Sequence, residues 1–172
     1  AGLLVAWSRH LARLHRSLTQ LRIGRPSALD DAEKHARSVL EANGLAAASA
    51  RVRLTVTAAA RGAEPNLIVT ASALPASVVA RRRGARLVTR PLRRALAAHK
   101  SIGWLPSVVA GFDTALDVEP VFVDGVTVLE GASSNIIALG PDQVMRAPVD
   151  GALPGIARAA AVEACGALGW RV

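Results

Sequence analysis

The chain has 172 residues, 51% of them hydrophobic and 20% charged. That length fits one domain or two small ones, and the composition excludes general disorder while providing enough apolar surface for a core. With 21 Lys and Arg against 13 Asp and Glu, the net charge is +8, which permits an anionic ligand or nucleic acid without requiring either.

Aromatic residues make up only 3% and Tyr is absent, so the core must be built from Ala, Val, Leu and Ile. The basic runs Arg81-Arg82-Arg83 and Arg93-Arg94 are short and read as solvated loops. No Phe or Trp is interleaved with them, so no stacking platform for single strands is indicated and no nucleic-acid partner is expected. One cysteine, Cys165, lies in an apolar run; it excludes a disulfide framework, points to a reducing compartment and reads as a small core residue. Trp7-Ser8-Arg9-His10 interrupts the first apolar run as a secretion signal would not, and no run is long enough to span a bilayer. The expectation is a soluble, cytoplasmic protein with no membrane partner.

In chain order, residues 1–6 are apolar and read as the end of a strand or a lead-in segment. Leu11, Leu14, Leu18 and Leu21 recur at spacings of three and four, predicting an amphipathic helix from Ser8 to Arg22. Gly24-Arg25-Pro26-Ser27 ends it. Ser27 is positioned to cap a second helix over 28–42, with Asp30 and Asp31 in its first turn and Asn43-Gly44 at its end. Val52, Leu54 and Val56 alternate with Arg53 and Thr55, which predicts a strand over 51–57. After a loop over 58–65, residues 66–73 predict a second strand. These elements make a small α+β domain over 1–75, followed by a linker over 76–84 that carries the arginine run.

A larger domain over 85–172 follows. It begins with a short strand at 85–89, then Pro91 and a stretch leading to Lys100, then a helix over 105–110. Strands are predicted at 115–118, 121–123 and 126–129, the last two joined by the hairpin signal Asp124-Gly125. Glu130-Gly131 breaks the pattern, and strands at 135–139 and 144–146 come next. Pro154-Gly155 precedes a helix over 156–168 with Gly169 as its end, and 170–172 resembles the start of a strand. A dinucleotide fingerprint, a phosphate-binding P-loop motif and metal-ligand spacing of Cys or His are all absent from the sequence.

A loop lysine by itself is ordinarily a solvated charge. Lys100 is flanked by His99, Ile102 and Trp104, a setting that allows a partly desolvated amine able to form a Schiff base with an aldehyde cofactor. Glu130 ends a strand, where a carboxylate can hold a pyridine nitrogen protonated. Residues 153–158 turn from loop to helix at Gly155, and free N–H groups with the helix dipole favour a phosphate there. Arg13 lies on the first helix and can clamp a phosphate with two donors. Amine, carboxylate, helix start and arginine together suit pyridoxal phosphate.

Taken together these segments resemble the class IV aminotransferases, the fold-type-IV pyridoxal-phosphate enzymes. The family's His-x-x-Arg-Leu is matched by His10 and Arg13-Leu14, and its Lys-Ser/Thr-x-x-x-Leu by Lys100-Ser101 and Leu105. Its Glu-Gly-x-Ser-Ser-Asn is matched by Glu130-Gly131 and Ser133-Ser134-Asn135, and its Gly-Ile/Val-Thr-Arg by Gly155-Ile156-Ala157-Arg158, with alanine in place of threonine. The resemblance implies an α+β, two-domain fold like that of D-amino-acid aminotransferase, incomplete here at both ends and shortened in the 58–65 loop. It implies Lys100 as the catalytic residue. It also implies cofactor contacts from Arg13, Lys100, Glu130, Ser134, Asn135, Leu153 (against the ring), Gly155, Ile156 and Ala157. Ala157 removes one hydroxyl contact, so weakened cofactor binding is expected.

Within the family the wording is most similar to aminodeoxychorismate lyase, which forms 4-aminobenzoate and pyruvate in folate synthesis. There the lysine is displaced by the substrate amine, takes the Cα proton and assists aromatisation. A transaminase acting on branched-chain or D-amino acids would use the same residues, and a catalytically silent relative is the third reading. The family further implies a small-molecule amino substrate and a homodimer.

Overall fold

A computed structural model describes residues 2–80 and 84–172, so the arginine run at 81–83 lies outside the described residues. The chain divides into two compact units, Ala1–Val79 and Ala80–Val172.

In the first unit, helix α1 (Trp7–Gln20) turns its leucine stripe inward. Leu18 is buried with Leu29 and Ala32, and Trp7, Leu11, Leu14, Ile23, Leu54, Val56 and Leu67 close over them. Burying one such leucine contributes about 1.5–3 kcal/mol, so Leu18→Ala should destabilise this unit by about 2–5 kcal/mol. The helix stops where Arg22 takes a left-handed conformation and the Ile23 N–H folds back to the Leu18 carbonyl at 3.0 Å.

The predicted helix over 28–42 is broken instead. A 3-10 turn, Ser27–Leu29, precedes helix α2 (Ala32–Ala42), whose N-cap is Asp31 without a side-chain cap bond. Ser27 therefore does not cap α2; its N–H donates to the carboxylate of Glu64, from the loop between the strands. The break places Leu29 in the core and leaves Asp30 outside, paired with Arg25. Asn43 and Gly44 end α2 as predicted, with Gly44 at φ 67° and the Leu45 N–H bonded to the Leu40 carbonyl at 2.8 Å. Strands β1 (Ala50–Thr57) and β2 (Asn66–Ala73) form an antiparallel pair in which Leu54 faces Val69 and Val56 faces Leu67. Part of the stretch expected to be linker is helical: α3 covers Ala76–Ala80.

The second unit holds a three-stranded sheet. Strand β3 (Arg86–Arg90) runs parallel to β4 (Val118–Asp124), and β5 (Thr127–Gly131) runs antiparallel to β4 on its other side. Two of the predicted strands are thus one. Ala115–Asp117 precedes β4, and the rest continues through Pro120. Proline is tolerated there because the β5 ladder begins only at Val121 opposite Gly131. The Pro120 carbonyl is used instead, accepting from the Ala132 N–H at 2.8 Å. The hairpin turns at Gly125, φ 57°, with Asp124 opposite Thr127.

A bulge interrupts β5. Phe122 pairs with Glu130 and Val123 with Val128, so Leu129 is the extra residue. Leu129 joins Phe122 and Ala110 in the core of this unit, and Leu129, Glu130 and Gly131 are all buried in succession. Glu130 is therefore inside the strand and not at a break in the pattern.

Helix α4 (Leu105–Ala110) forms as predicted. The expected strand at 135–139 shrinks to β6 (Ala138–Leu139), paired with β7 (Met145–Arg146), because Asn135 is committed elsewhere. Helix α5 (Ile156–Ala167) ends before Gly169, φ 81°, and Arg171 forms a bridge with Val144. It buries no residue fully, and Cys165 is half-buried rather than a core residue. Among the described residues no helix is long and apolar enough to cross a membrane.

Candidate active site

Glu130 is deeply placed, 3% exposed. Burying a carboxylate costs several kcal/mol unless it is paired and hydrogen-bonded, and here both oxygens are engaged. Oε1 accepts from Arg94 Nε at 2.6 Å, and Oε2 accepts from the Leu153 N–H at 3.0 Å. Each carboxylate oxygen has a second lone pair, so these bonds fix the group without exhausting it. Arg94 also donates through Nη2 to the Ala97 carbonyl at 3.2 Å. It thereby ties the loop leading to Lys100 onto the carboxylate.

Arg94 corrects the sequence reading. Only half of the Arg93-Arg94 pair is solvated: Arg93 is exposed and ion-paired to Asp124, whereas the Arg94 side chain is 9% exposed. No signal in an Arg-Arg dipeptide tells which member faces inward. Its partner lies 36 positions downstream.

Leu153 is buried and joins two parts of the site. Its N–H holds Glu130, while its carbonyl accepts from Asn135 Nδ2 at 2.9 Å. The Asn135 amide then lies against Gly155, where a Cβ would come 1.6 Å from Asn135 Oδ1. Glycine at 155 is thus a steric requirement of the asparagine and not of backbone conformation, since its φ is −73°.

Helix α5 starts at Ile156, and its first intrahelical bond runs from the Ala159 N–H to the Gly155 carbonyl. The N–H groups of Ile156, Ala157 and Arg158 precede that ladder and are available at the positive end of the helix dipole. Ala157 is exposed, and Arg158 donates to the Pro148 carbonyl. From Leu153 to Ile156 the chain spans at most about 10 Å, so the buried carboxylate and the helix start stand within one small ring and its phosphate arm of each other.

A second buried carboxylate, Glu119, lies beneath the Gly131–Asn135 turn, and sequence reading did not single it out. It accepts from the Ser133 N–H at 2.9 Å and from Ser134 Oγ at 2.8 Å. Ser134 is thereby oriented toward Glu119.

Lys100 is exposed, as are Ile102, Trp104 and Leu105. Their exposure leaves this stretch outside the core of the unit. Arg13 belongs to the other unit. It is half-buried on α1, where burial and then the neighbouring Arg16 push its guanidinium below the ordinary arginine value. Among the described residues no group of three His, Cys, Asp or Glu could hold a metal ion.

The whole chain, residues 1–172, matches the family model for amino-transferase class IV. No curated protein matches it. Two solved structures are similar. A fold IV transaminase, CpuTA1, from Curtobacterium pusillum has a TM-score of 0.77 at 25% identity, covering 97% of this chain and 63% of that one. A Legionella pneumophila protein provisionally named a 4-amino-4-deoxychorismate lyase has a TM-score of 0.76 at 24% identity, covering 96% of this chain and 65% of that one. The chain therefore spans less than two thirds of the length of either.

Proposed function

The chain belongs to the class IV aminotransferases, the fold-type-IV pyridoxal-phosphate enzymes, and we propose that it is the cofactor-holding part of an aminotransferase acting on a small amino substrate. The observation that carries this reading is the Glu130–Leu153–Gly155 connection. One buried carboxylate is fixed by the same short segment that opens α5. The donor set fits the cofactor: an anion-favouring helix start, a carboxylate for a ring nitrogen, and a lysine on a loop held to that carboxylate by Arg94.

Bound there, pyridoxal phosphate supplies an electron sink for the pair released at the substrate Cα. Lys100 would hold the cofactor through its amine, which would afterwards take the proton from the substrate. Glu130, buried and held on two sides, would keep a proton on the ring nitrogen. Leu153 would pack against the ring beside Asn135, while Ser134, turned to Glu119, holds the turn that carries Asn135. The N–H groups of Ile156 and Ala157 would hold the phosphate.

Aminotransferase stands ahead of the lyase because the family model and the more similar of the two structures both carry that activity in their descriptions. The lyase reading rests on the Lys100-Ser101 to Leu105 spacing and on the Arg/Ala-rich wording of residues 10–17 and 43–57. A cytoplasmic homodimer belongs to the same proposal, and sedimentation of the full-length protein tests the dimer.

The deciding experiment is the visible absorption spectrum of full-length protein with pyridoxal phosphate, before and after borohydride, beside Lys100→Ala. The expected result is a cofactor band in the wild type and, after reduction, a stable adduct on the peptide carrying Lys100. Conversion of an amino acid and a keto acid then indicates the aminotransferase, and release of pyruvate from 4-amino-4-deoxychorismate the lyase. No band at saturating cofactor in folded protein would leave the catalytically silent relative.

A further inference from the structure

Glu119 has a role that neither Lys100 nor Glu130 explains. It is 3% exposed on the central strand β4. Apolar residues surround it in the strand, and an apolar side chain of similar size would avoid the cost of burying a charge. One short turn supplies several compensating donors: the Ser133 N–H at 2.9 Å, Ser133 Oγ at 3.2 Å to each oxygen, and Ser134 Oγ at 2.8 Å.

Strand pleating separates Glu119 from the cofactor side. Phe122 is paired with Glu130, and Glu119 is an odd number of residues away from Phe122, so the two carboxylates lie on opposite faces of the sheet. Glu119 acts on the backbone that passes over it. Gly131 makes that approach possible, since a Cβ there would sit 2.2 Å from Ser134 Oγ and 2.5 Å from Glu119 Oε1. The turn is closed by the Gly131 N–H to the Ser134 carbonyl at 2.9 Å.

What the turn delivers is Asn135, the next residue. Its amide bonds the Leu153 carbonyl at 2.9 Å and fills the space beside Gly155. A continuous path of hydrogen bonds and steric contact thus runs from Glu119 through Ser133 and Ser134 to Asn135, and from there to the start of α5.

We propose that Glu119 is a positioning residue: by tethering Ser133 and Ser134 it holds Asn135 against Gly155 and so sets the helix start that receives the cofactor phosphate. The phosphate part rests on the cofactor reading above; the tether does not.

The test uses full-length protein as wild type, Glu119→Gln, Glu119→Ala and Val121→Ala. Val121, buried on the same strand, controls for simple loss of core stability. Two readouts are taken: amide hydrogen exchange over residues 130–157 without cofactor, and affinity for pyridoxal phosphate against pyridoxal, which lacks the phosphate. In Glu119→Ala, exchange speeds up at both 131–135 and 153–157 relative to Val121→Ala. Affinity for pyridoxal phosphate falls about tenfold or more, the order for one lost charge-assisted hydrogen bond, while affinity for pyridoxal changes little. Glu119→Gln, which retains an acceptor for the Ser133 N–H, recovers much of both and also serves if the alanine variant does not fold.

Equal losses for the two ligands overturn the proposal, as does faster exchange confined to 131–135. If the wild type takes up no pyridoxal phosphate, the cofactor reading fails by itself. The exchange at 153–157 then decides whether Glu119 holds the helix start.

Discussion

Arg94 Nε donates to Glu130 Oε1 at 2.6 Å, with the two side chains 9% and 4% exposed. This pair, together with the Leu153 N–H, offsets the cost of keeping a carboxylate inside the sheet.

Removing Arg94 leaves that carboxylate uncompensated. Arg94→Met is expected to destabilise the protein by about 3–5 kcal/mol, and replacing both partners together, Arg94→Met with Glu130→Leu, by clearly less. Arg94→Lys should recover only part, since one ammonium cannot serve both Glu130 and the Ala97 carbonyl with the guanidinium's geometry. Urea unfolding of the four proteins checks the order; equal losses for the single and double variants would remove the ion pair as the cause.

Gly155→Ala should act through Asn135. The added methyl would meet Asn135 Oδ1 at 1.6 Å, so the asparagine must leave its bond to the Leu153 carbonyl. Cofactor affinity is expected to drop about tenfold. Asn135→Ala makes the room, so the double variant should lose less than the sum of the two singles. A double-mutant cycle on pyridoxal-phosphate affinity measures this coupling, and strict additivity would contradict it.

Ala157 is exposed at the first turn of α5, so a larger residue fits without repacking. Ala157→Thr adds a hydroxyl donor beside the N–H groups of the helix start. It should tighten cofactor binding by about 0.5–1.5 kcal/mol and leave unfolding stability within about 0.5 kcal/mol. Equilibrium titration of both proteins with pyridoxal phosphate reads the difference.

Glu64 makes the first unit sensitive to acid. The N–H and then the hydroxyl of Ser27 hold its carboxyl below the usual glutamate value. Because the folded-state pKa is the lower one, this stabilisation is present above the unfolded value of about 4.3 and is lost as pH falls through the folded value. Glu64→Gln should flatten the stability profile on that acid limb and leave the neutral region parallel to wild type. Chemical unfolding across the acid limb tests it. The effect is small because the carboxylate is solvent-exposed.

The local elements were legible because their signals are local. Leucines at three-and-four spacing marked α1, alternation marked β1 and β2, Asp124-Gly125 marked the hairpin, and Gly44 and Gly169 marked helix ends. Lys100, Glu130, Asn135 and Gly155 stood out by their place in short motifs, and the family followed from them. Where local signals competed with the core, they misled. Ser27 looks like a cap, yet seating Leu29 beside Leu18 and Ala32 broke the helix before it could serve as one.

Short-range signals thus carried the family and most of the elements. Only the tertiary structure decided which charges are inside. Arg94 and Arg93 are chemically identical neighbours, and one is buried because Glu130 reaches it from 36 positions away. Glu130 is aimed by a bulge at Leu129, and the Glu119 carboxylate has room under its turn because Gly131, paired with Val121, has no Cβ. A buried charge is stable only beside its partner, and partners far apart in sequence become neighbours only when the sheet forms.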